Sequence, residues 1–287
     1  MSMEPHIEYN GPIRQLTYIA ETCVQKFQNK FSKFKSQCRI NFKCESHVID
    51  LGREKLRKYL VWNKKFHIAS CQFSIHYFFE SYDQISRFLD NVSQNLYLNG
   101  LFVITFPNGP ELVRQFRKAG HHTFGNSNYQ IRFNSTKTPK CPMKLFGEQL
   151  HFKLNEEVDV PEFLVYFPAL LQMLENRGFK MLNRATFPDF IVSRLTSTNQ
   201  GKKCFELLLN TNALPLSMEY QKHKASMRSA TDASLEPESE YFEKFKKYLH
   251  SQPSYLTKDL ENYRTIDKDQ FEVSKLYELA TFIKIRP

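Results

Sequence analysis

CQFSIHYFF, Cys71–Phe79, is mostly aromatic and aliphatic, yet it holds a glutamine and a histidine. With the residues before it, FHIASCQFSIHY (66–77), it reads as a buried strand that runs into a loop carrying Gln72, Phe73, His76 and Tyr77. The segments after it set the fold. Ser81 can cap a helix whose Ile85, Phe88, Leu89 and Val92 form one face, and Asn99-Gly100 is expected to close it. LFVITF (101–106) is then a short apolar run of the kind covered on both faces, and Pro107-Asn108-Gly109 ends it. PELVRQFRKAG (110–120) is a short basic helix.

Upstream the same alternation holds. IRQLTYIAE (13–21) contains a short strand. Val24, Phe27, Phe31 and Phe34 then recur at helical spacing between Lys26, Lys30, Lys33 and Lys35, giving an amphipathic helix with a basic outer face. RINFKCESHVID (39–50) reads as a strand ending near Asp50. Strand and helix alternate through the first 120 residues, which predicts an α/β layer on a mainly parallel sheet. Ligands of such sheets bind at the carboxyl ends of the strands, so the loop ends near Asp50, His76 and Pro107 are expected to converge.

Downstream, NYQIRF (128–133) and KLFGEQLHFKL (144–154) read as strands. Pro161 is expected to start a helix with Phe167, Leu170, Leu171 and Leu174 on one side, Pro168 marking a kink or a late start. FKMLNRATF (179–187) is a strand. Residues 195–268 are polar and of mixed charge, and read as an insertion, helical around YFEKFKKYLH (241–250). FEVSKLYELATFIKI (271–285) is a strand pattern.

Composition narrows the partners. The 287 residues carry a formal net charge of +10, which favours polyanions such as nucleic acid. Phe is common at 26 residues with 14 Tyr, and aromatics stack on bases as well as filling cores. The six cysteines show no C-x-x-C spacing, and no secretory leader or long apolar run is visible, so reduced thiols, no membrane partner and a nuclear or cytosolic location are expected. VIDLGREKLRKYL (48–60) looks like the start of a nucleotide fingerprint, but Gly52 is its only glycine and Arg53, Glu54 and Lys55 fill positions that should be small. An ordinary strand-to-helix turn is the better reading.

SCQFSIHYFFES (70–81), followed by VDVPEFLVYFP (158–168), resembles the messenger-RNA cap guanine-N7 methyltransferases, and FGNSNYQIRF (124–133) and KLYELATFIK (275–284) fit the same family. The resemblance runs from about residue 16 to the end. It implies a class I, Rossmann-like methyltransferase sheet, N-terminally incomplete, with an inserted α/β cap-binding lobe, the whole chain 1–287 being one domain. It also implies S-adenosyl-L-methionine as methyl donor, 5′-capped RNA as substrate, a nuclear location, and capping machinery or an activating subunit as partners. By the same resemblance Phe73, His76, Tyr77, Pro107, Glu162 and Tyr277 line the cap guanine, while Gln72, Tyr77 and Asp50 contact the donor. No catalytic acid or base and no metal is implied, because N7 of guanine already carries a free lone pair.

The chain departs from the family at its start. No D-x-G-x-G segment is present, and the position of the acid that ends the family's second strand is Tyr18, with Glu21 nearby. The sequence therefore leaves open an active enzyme, an inactive cap-binding or RNA-binding paralogue or truncated form, and a scaffold that borrows its missing part from another chain.

Overall fold

A computed structural model describes residues 6–10, 13–18, 21–37, 43–60, 65–134, 138, 140, 142–155, 158–195, 203, 207, 214–215, 265–266 and 268–287. The chain divides into two compact units, residues 1–184 with 276–287 and residues 185–275. The helix expected at 241–250 lies outside the described residues.

The larger unit is built on a seven-stranded sheet. Its strands are β1 (His6–Asn10), β2 (Ile13–Tyr18), β3 (Lys43–Val48), β4 (Phe66–Gln72), β5 (Leu96–Pro107), β10 (Phe179–Thr186) and β13 (Tyr277–Lys284). In space they run β3-β2-β1-β4-β5-β13-β10. The first five follow the doubly wound order, with β13 wedged in before β10. β2 pairs parallel with β3, and β4 with β5. β1 is antiparallel to both β2 and β4, so β2, β3, β4 and β5 all point the same way. β13 is antiparallel to β5, with Tyr277 opposite Pro107. The carboxyl ends of four parallel strands and the start of β13 therefore share one edge.

Two long connections are helical because their apolar residues recur at helical spacing. In α1 (Glu21–Gln37), Val24 is buried and the Phe27 and Phe31 rings stack at 5.7 Å. In α2 (Tyr82–Asn95), Ser81 Oγ accepts the Gln84 N–H, and Ile85, Phe88, Leu89 and Val92 are buried. Asn99-Gly100 does not close α2, which ends at Asn95. The pair forms a bulge inside β5, where the register shifts between Phe66 and Ile68. Asn99 takes a φ of 65°, and a Cβ on Gly100 would meet the Tyr97 carbonyl at 2.8 Å. A left-handed turn suits Asn and Gly in a strand bulge as well as at a helix end. α3 (Gly109–Ala119) is capped by Asn108 Oδ1, which accepts the Glu111 N–H, and ends at the left-handed Gly120.

Between α3 and α4 (Phe167–Glu175) the inserted lobe is an antiparallel meander. It comprises β6 (Thr123–Gly125), β7 (Tyr129–Phe133), β8 (Gln149–Leu154) and β9 (Val158–Phe163). Among the described residues this lobe is all β rather than mixed. Pro161 does not start a helix: it sits mid-strand in β9, opposite His151. β9 is an edge strand of the meander, paired only with β8, and an edge strand tolerates a proline that has no N–H to donate. The helical period begins later, and Pro168 lies in the first turn of α4. Likewise only the second half of 271–285 is strand: α6 (Lys268–Ser274) precedes β13.

The smaller unit holds α5 (Phe187–Leu195), α6 and a short parallel pair, β11 (Leu214–Pro215) with β12 (Thr265–Ile266). The core of the larger unit lies between its sheet and α2 and α4, with Phe66, Phe79, Phe102, Ile104, Leu170 and Phe282 almost fully buried. Among the described residues no helix is long and apolar enough to cross a membrane.

Candidate guanine-recognition site

The stretch around Gln72 splits in two. β4 ends at that residue, and Ile75–Glu80 forms a short 3-10 helix rather than continuing the strand. Phe73 makes the corner in a left-handed conformation, φ 50°. A bulky aromatic rarely adopts that geometry, and the cost is of the order of 1–3 kcal/mol. Thr105 holds the corner in place, accepting the Phe73 N–H at its carbonyl (3.1 Å) and at Oγ1 (2.9 Å). The Phe73 ring, 40% exposed, is left edge-on to Tyr277 with ring centres 5.2 Å apart.

Tyr277 is fixed from three sides. It pairs with the buried Pro107 across the β5–β13 ladder. The Asn108 N–H donates to the Leu276 carbonyl at 2.6 Å. Next to it the buried Glu278 accepts Arg184 Nε at 2.7 Å, and the Arg184 guanidinium lies 3.9 Å from the centre of the Phe167 ring. Phe152 of β8 adds a second edge-on contact with Tyr277, centres 6.3 Å apart.

β9 breaks its own pattern at Glu162. Val158 and Val160 are only half-buried, and Glu162 is the one buried residue of the strand, at 6% exposure. Its Oε1 lies 3.4 Å from Nε2 of His76, which is 1% exposed. That distance brings the two groups close, but the geometry is not that of a hydrogen bond: both His76 nitrogens are buried without a hydrogen-bond partner among the described residues. Buried polar atoms are rarely left so, because each costs roughly 1–3 kcal/mol. The His76 and Tyr77 rings lie 4.2 Å apart. Burial, and then the Glu162 carboxylate, push the Tyr77 and Tyr277 phenols well above the ordinary tyrosine range. Both keep their protons through neutral pH and can donate them.

The expected residues therefore fall in two groups. Phe73, His76, Tyr77, Glu162 and Tyr277 are linked by ring or charge contacts, with Pro107 across the ladder from Tyr277. Asp50 and Gln72 share the carboxyl edge but are engaged locally. Asp50 Oδ1 accepts the Gly52 N–H at 2.9 Å, and Oδ2 lies 3.4 Å from Arg53 Nε. Gln72 Nε2 donates to Ser70 Oγ at 2.8 Å and reaches the Val103 carbonyl at 3.4 Å. Gly52 serves packing rather than a phosphate, since a Cβ there would meet the Phe78 ring at 2.9 Å.

Sequence reasoning missed Thr105 and Phe152. Thr105 had a signal, as the one hydroxyl in the apolar run 101–106, while Phe152 had none beyond its alternation with Leu150.

Over residues 13–285 the chain matches the family model described as the mRNA (guanine-N(7))-methyltransferase domain. It is 34% identical over 187 residues to the mRNA cap guanine-N(7) methyltransferase of Drosophila melanogaster, covering 62% of this chain and 43% of that one. To the mRNA cap guanine-N(7) methyltransferase of Caenorhabditis briggsae it is 27% identical over 222 residues, covering 75% and 58%. This chain thus spans about half the length of these curated relatives. The CcbJ methyltransferase of Streptomyces caelestis is a distant structural likeness, with a TM-score of 0.44, 9% identity and coverage of 94% and 78%. With its model matched across nearly the whole sequence, the chain belongs to the mRNA (guanine-N(7))-methyltransferase domain family.

Proposed function

We propose that the chain binds the guanosine cap of 5′-capped RNA between Phe73, Tyr77, Tyr277 and Glu162, and transfers a methyl group from S-adenosyl-L-methionine to guanine N7. The observation that carries this reading is the buried Glu162 carboxylate beside a buried His76 with two unsatisfied nitrogens, walled by aromatic rings. A guanine edge offers donors to the carboxylate of that pair. Its N1–H and N2–H groups donate to Glu162 in charge-assisted bonds. Phe73 and Tyr277 present apolar walls to a flat base, and Pro107 backs Tyr277.

The chemistry asks little of the protein. N7 needs no base, so the residues contribute placement and water exclusion. As the base gains positive charge, a carboxylate in a poorly solvated site stabilises it more than it stabilises the neutral base. The donor supplies an electrophilic methyl when bound. Asp50, Gln72 and Tyr77 would hold it, and they fit in kind: Asp50 is over a third exposed at the carboxyl edge and keeps acceptor capacity beyond its loose contact with Arg53. In this reading residues 1–287 act as one domain with 195–268 inserted, in the nucleus, alongside capping machinery or an activating subunit.

A second reading, cap binding without transfer, is favoured by one observation. The central slot between β2 and β4 is taken by the antiparallel β1, so among the described residues no glycine-rich loop leaves that slot at the carboxyl edge. Calorimetric titration with S-adenosyl-L-methionine and with the dinucleotide cap GpppA separates the two. Binding of both, with N7-methylated product, is expected. Binding of GpppA alone selects the second reading, and binding of neither overturns both.

A further inference from the structure

The meander has a second face. Successive strand residues point to opposite sides, and the register puts Arg132, His151 and Pro161 in one row across β7, β8 and β9, away from the row of Phe133, Leu150 and Glu162. Asn134 and Gln149 flank the outer row, and with it and with parts of Phe133 and Leu150 they line a cleft of about 320 Å³. Pro161 walls this cleft while its neighbour Glu162 is buried on the other side, so one strand separates the cleft from the guanine pocket.

The donors of the cleft suit an anion. Arg132 is exposed and has no ion pair or hydrogen bond from its side chain among the described residues. His151 is oriented by Asp159, whose Oδ1 lies 3.2 Å from Nδ1. Lys153 stands one alternation along the same face, opposite Asp159. The Gln149 amide beside the Arg132 guanidinium suits a phosphodiester with its sugar and base edges better than a bare carboxylate, and the net charge of +10 attracts any polyanion.

We infer that this outer cleft is a subsite for the RNA chain following the cap, with Arg132 on a phosphate. The inference rests on the cap-binding reading above. It is tested with the full chain by measuring the affinity of GpppA, of a capped decaribonucleotide and of the same RNA uncapped, each at several salt concentrations. The capped RNA is expected to bind tighter than GpppA, with a steeper salt dependence. Arg132→Glu is expected to weaken both long RNAs by about five- to tenfold and to lower the salt slope by about 0.7 for each phosphate it ceases to neutralise, while GpppA stays within about twofold. Arg132→Lys, which keeps the charge, is expected to fall between. Unchanged affinity of the long RNAs for Arg132→Glu overturns the inference, as does an equal loss for GpppA. If wild type fails to bind GpppA, the cap reading falls, and the cleft is judged on the uncapped RNA alone. A polyglutamate peptide that displaces RNA at equal concentration reassigns the cleft to an acidic protein segment and also overturns it.

Discussion

Two neighbouring parts of one sheet edge treat their polar atoms in opposite ways. On the Asp50–Gln72 side these two polar side chains are used by the chain itself, although His47 Nε2 upstream in β3 is buried without a hydrogen-bond partner among the described residues. Asp50 closes the turn at Gly52, and the Gln72 amide binds Ser70 and Val103. On the Phe73–Glu162 side a carboxylate and an imidazole are buried together, with both imidazole nitrogens unsatisfied, while a strained aromatic stands half out of the surface. Local satisfaction stabilises the fold without a ligand. Unsatisfied buried groups cost stability until something fills them, and such groups mark where binding energy is stored.

The sharpest way to break this contrast is Glu162→Gln. Removing the acceptor charge should weaken GpppA binding by about 1.5–3 kcal/mol, on the order of tenfold to a hundredfold. Thermal stability should stay level or rise, since a buried carboxylate has been neutralised. A carboxylate with a purely structural role gives the reverse: a lower melting temperature and unchanged affinity. Phe73→Ala should cost about 1–3 kcal/mol in the same titration, the range of one base–aromatic stack, and should not lower stability because the ring it removes is exposed.

Thr105→Val sharpens the comparison further. It removes the hydroxyl acceptor at Phe73 N–H but leaves the carbonyl bond, so GpppA affinity should fall by about 0.5–1.5 kcal/mol and recover in Thr105→Ser. Asp50→Asn is the control from the other side. The amide oxygen still accepts the Gly52 N–H, and GpppA affinity should not change.

The smallest effect concerns pH. The Tyr77 and Tyr277 pKa values are raised in the folded protein, by burial first and then by Glu162. The stability linked to the neutral phenols is therefore complete below the unfolded tyrosine value of about 10 and falls as pH rises above it. Denaturation midpoints should be flat in this respect through neutral pH and decline in the alkaline range. Tyr277→Phe should flatten part of that decline.

Much of the fold was legible because the sequence keeps its periods clean. The faces of α1 and α2, and the apolar run of β5, follow directly from residue spacing, and β4 does so as far as Gln72. The errors share a cause: a local signal that serves two structures. Asn99-Gly100 suits a helix end and a strand bulge alike. Pro161 suits a first helical turn and an edge strand alike, and only pairing with β8 decides between them. The 3-10 turn after Gln72 was hidden because Ile75, Phe78 and Phe79 are apolar enough to extend the strand.

The site was legible in parts list rather than in geometry. Resemblance pointed to Phe73, His76 and Glu162, but not to the left-handed corner at Phe73, since φ leaves no trace in a single aromatic letter. Nor did it show that Glu162 takes the one buried place in β9, because burial depends on Leu150 and Tyr277 arriving from distant segments. The antiparallel β1 was likewise invisible: its letters do not show that it fills the central slot.

The most direct test is the affinity of the full chain for GpppA compared with ApppA, which differ in one base. GpppA is expected to bind at least about tenfold tighter, because only guanine offers N1–H and N2–H to Glu162, and Glu162→Gln is expected to erase most of the difference. Equal affinities for the two caps would contradict this expectation.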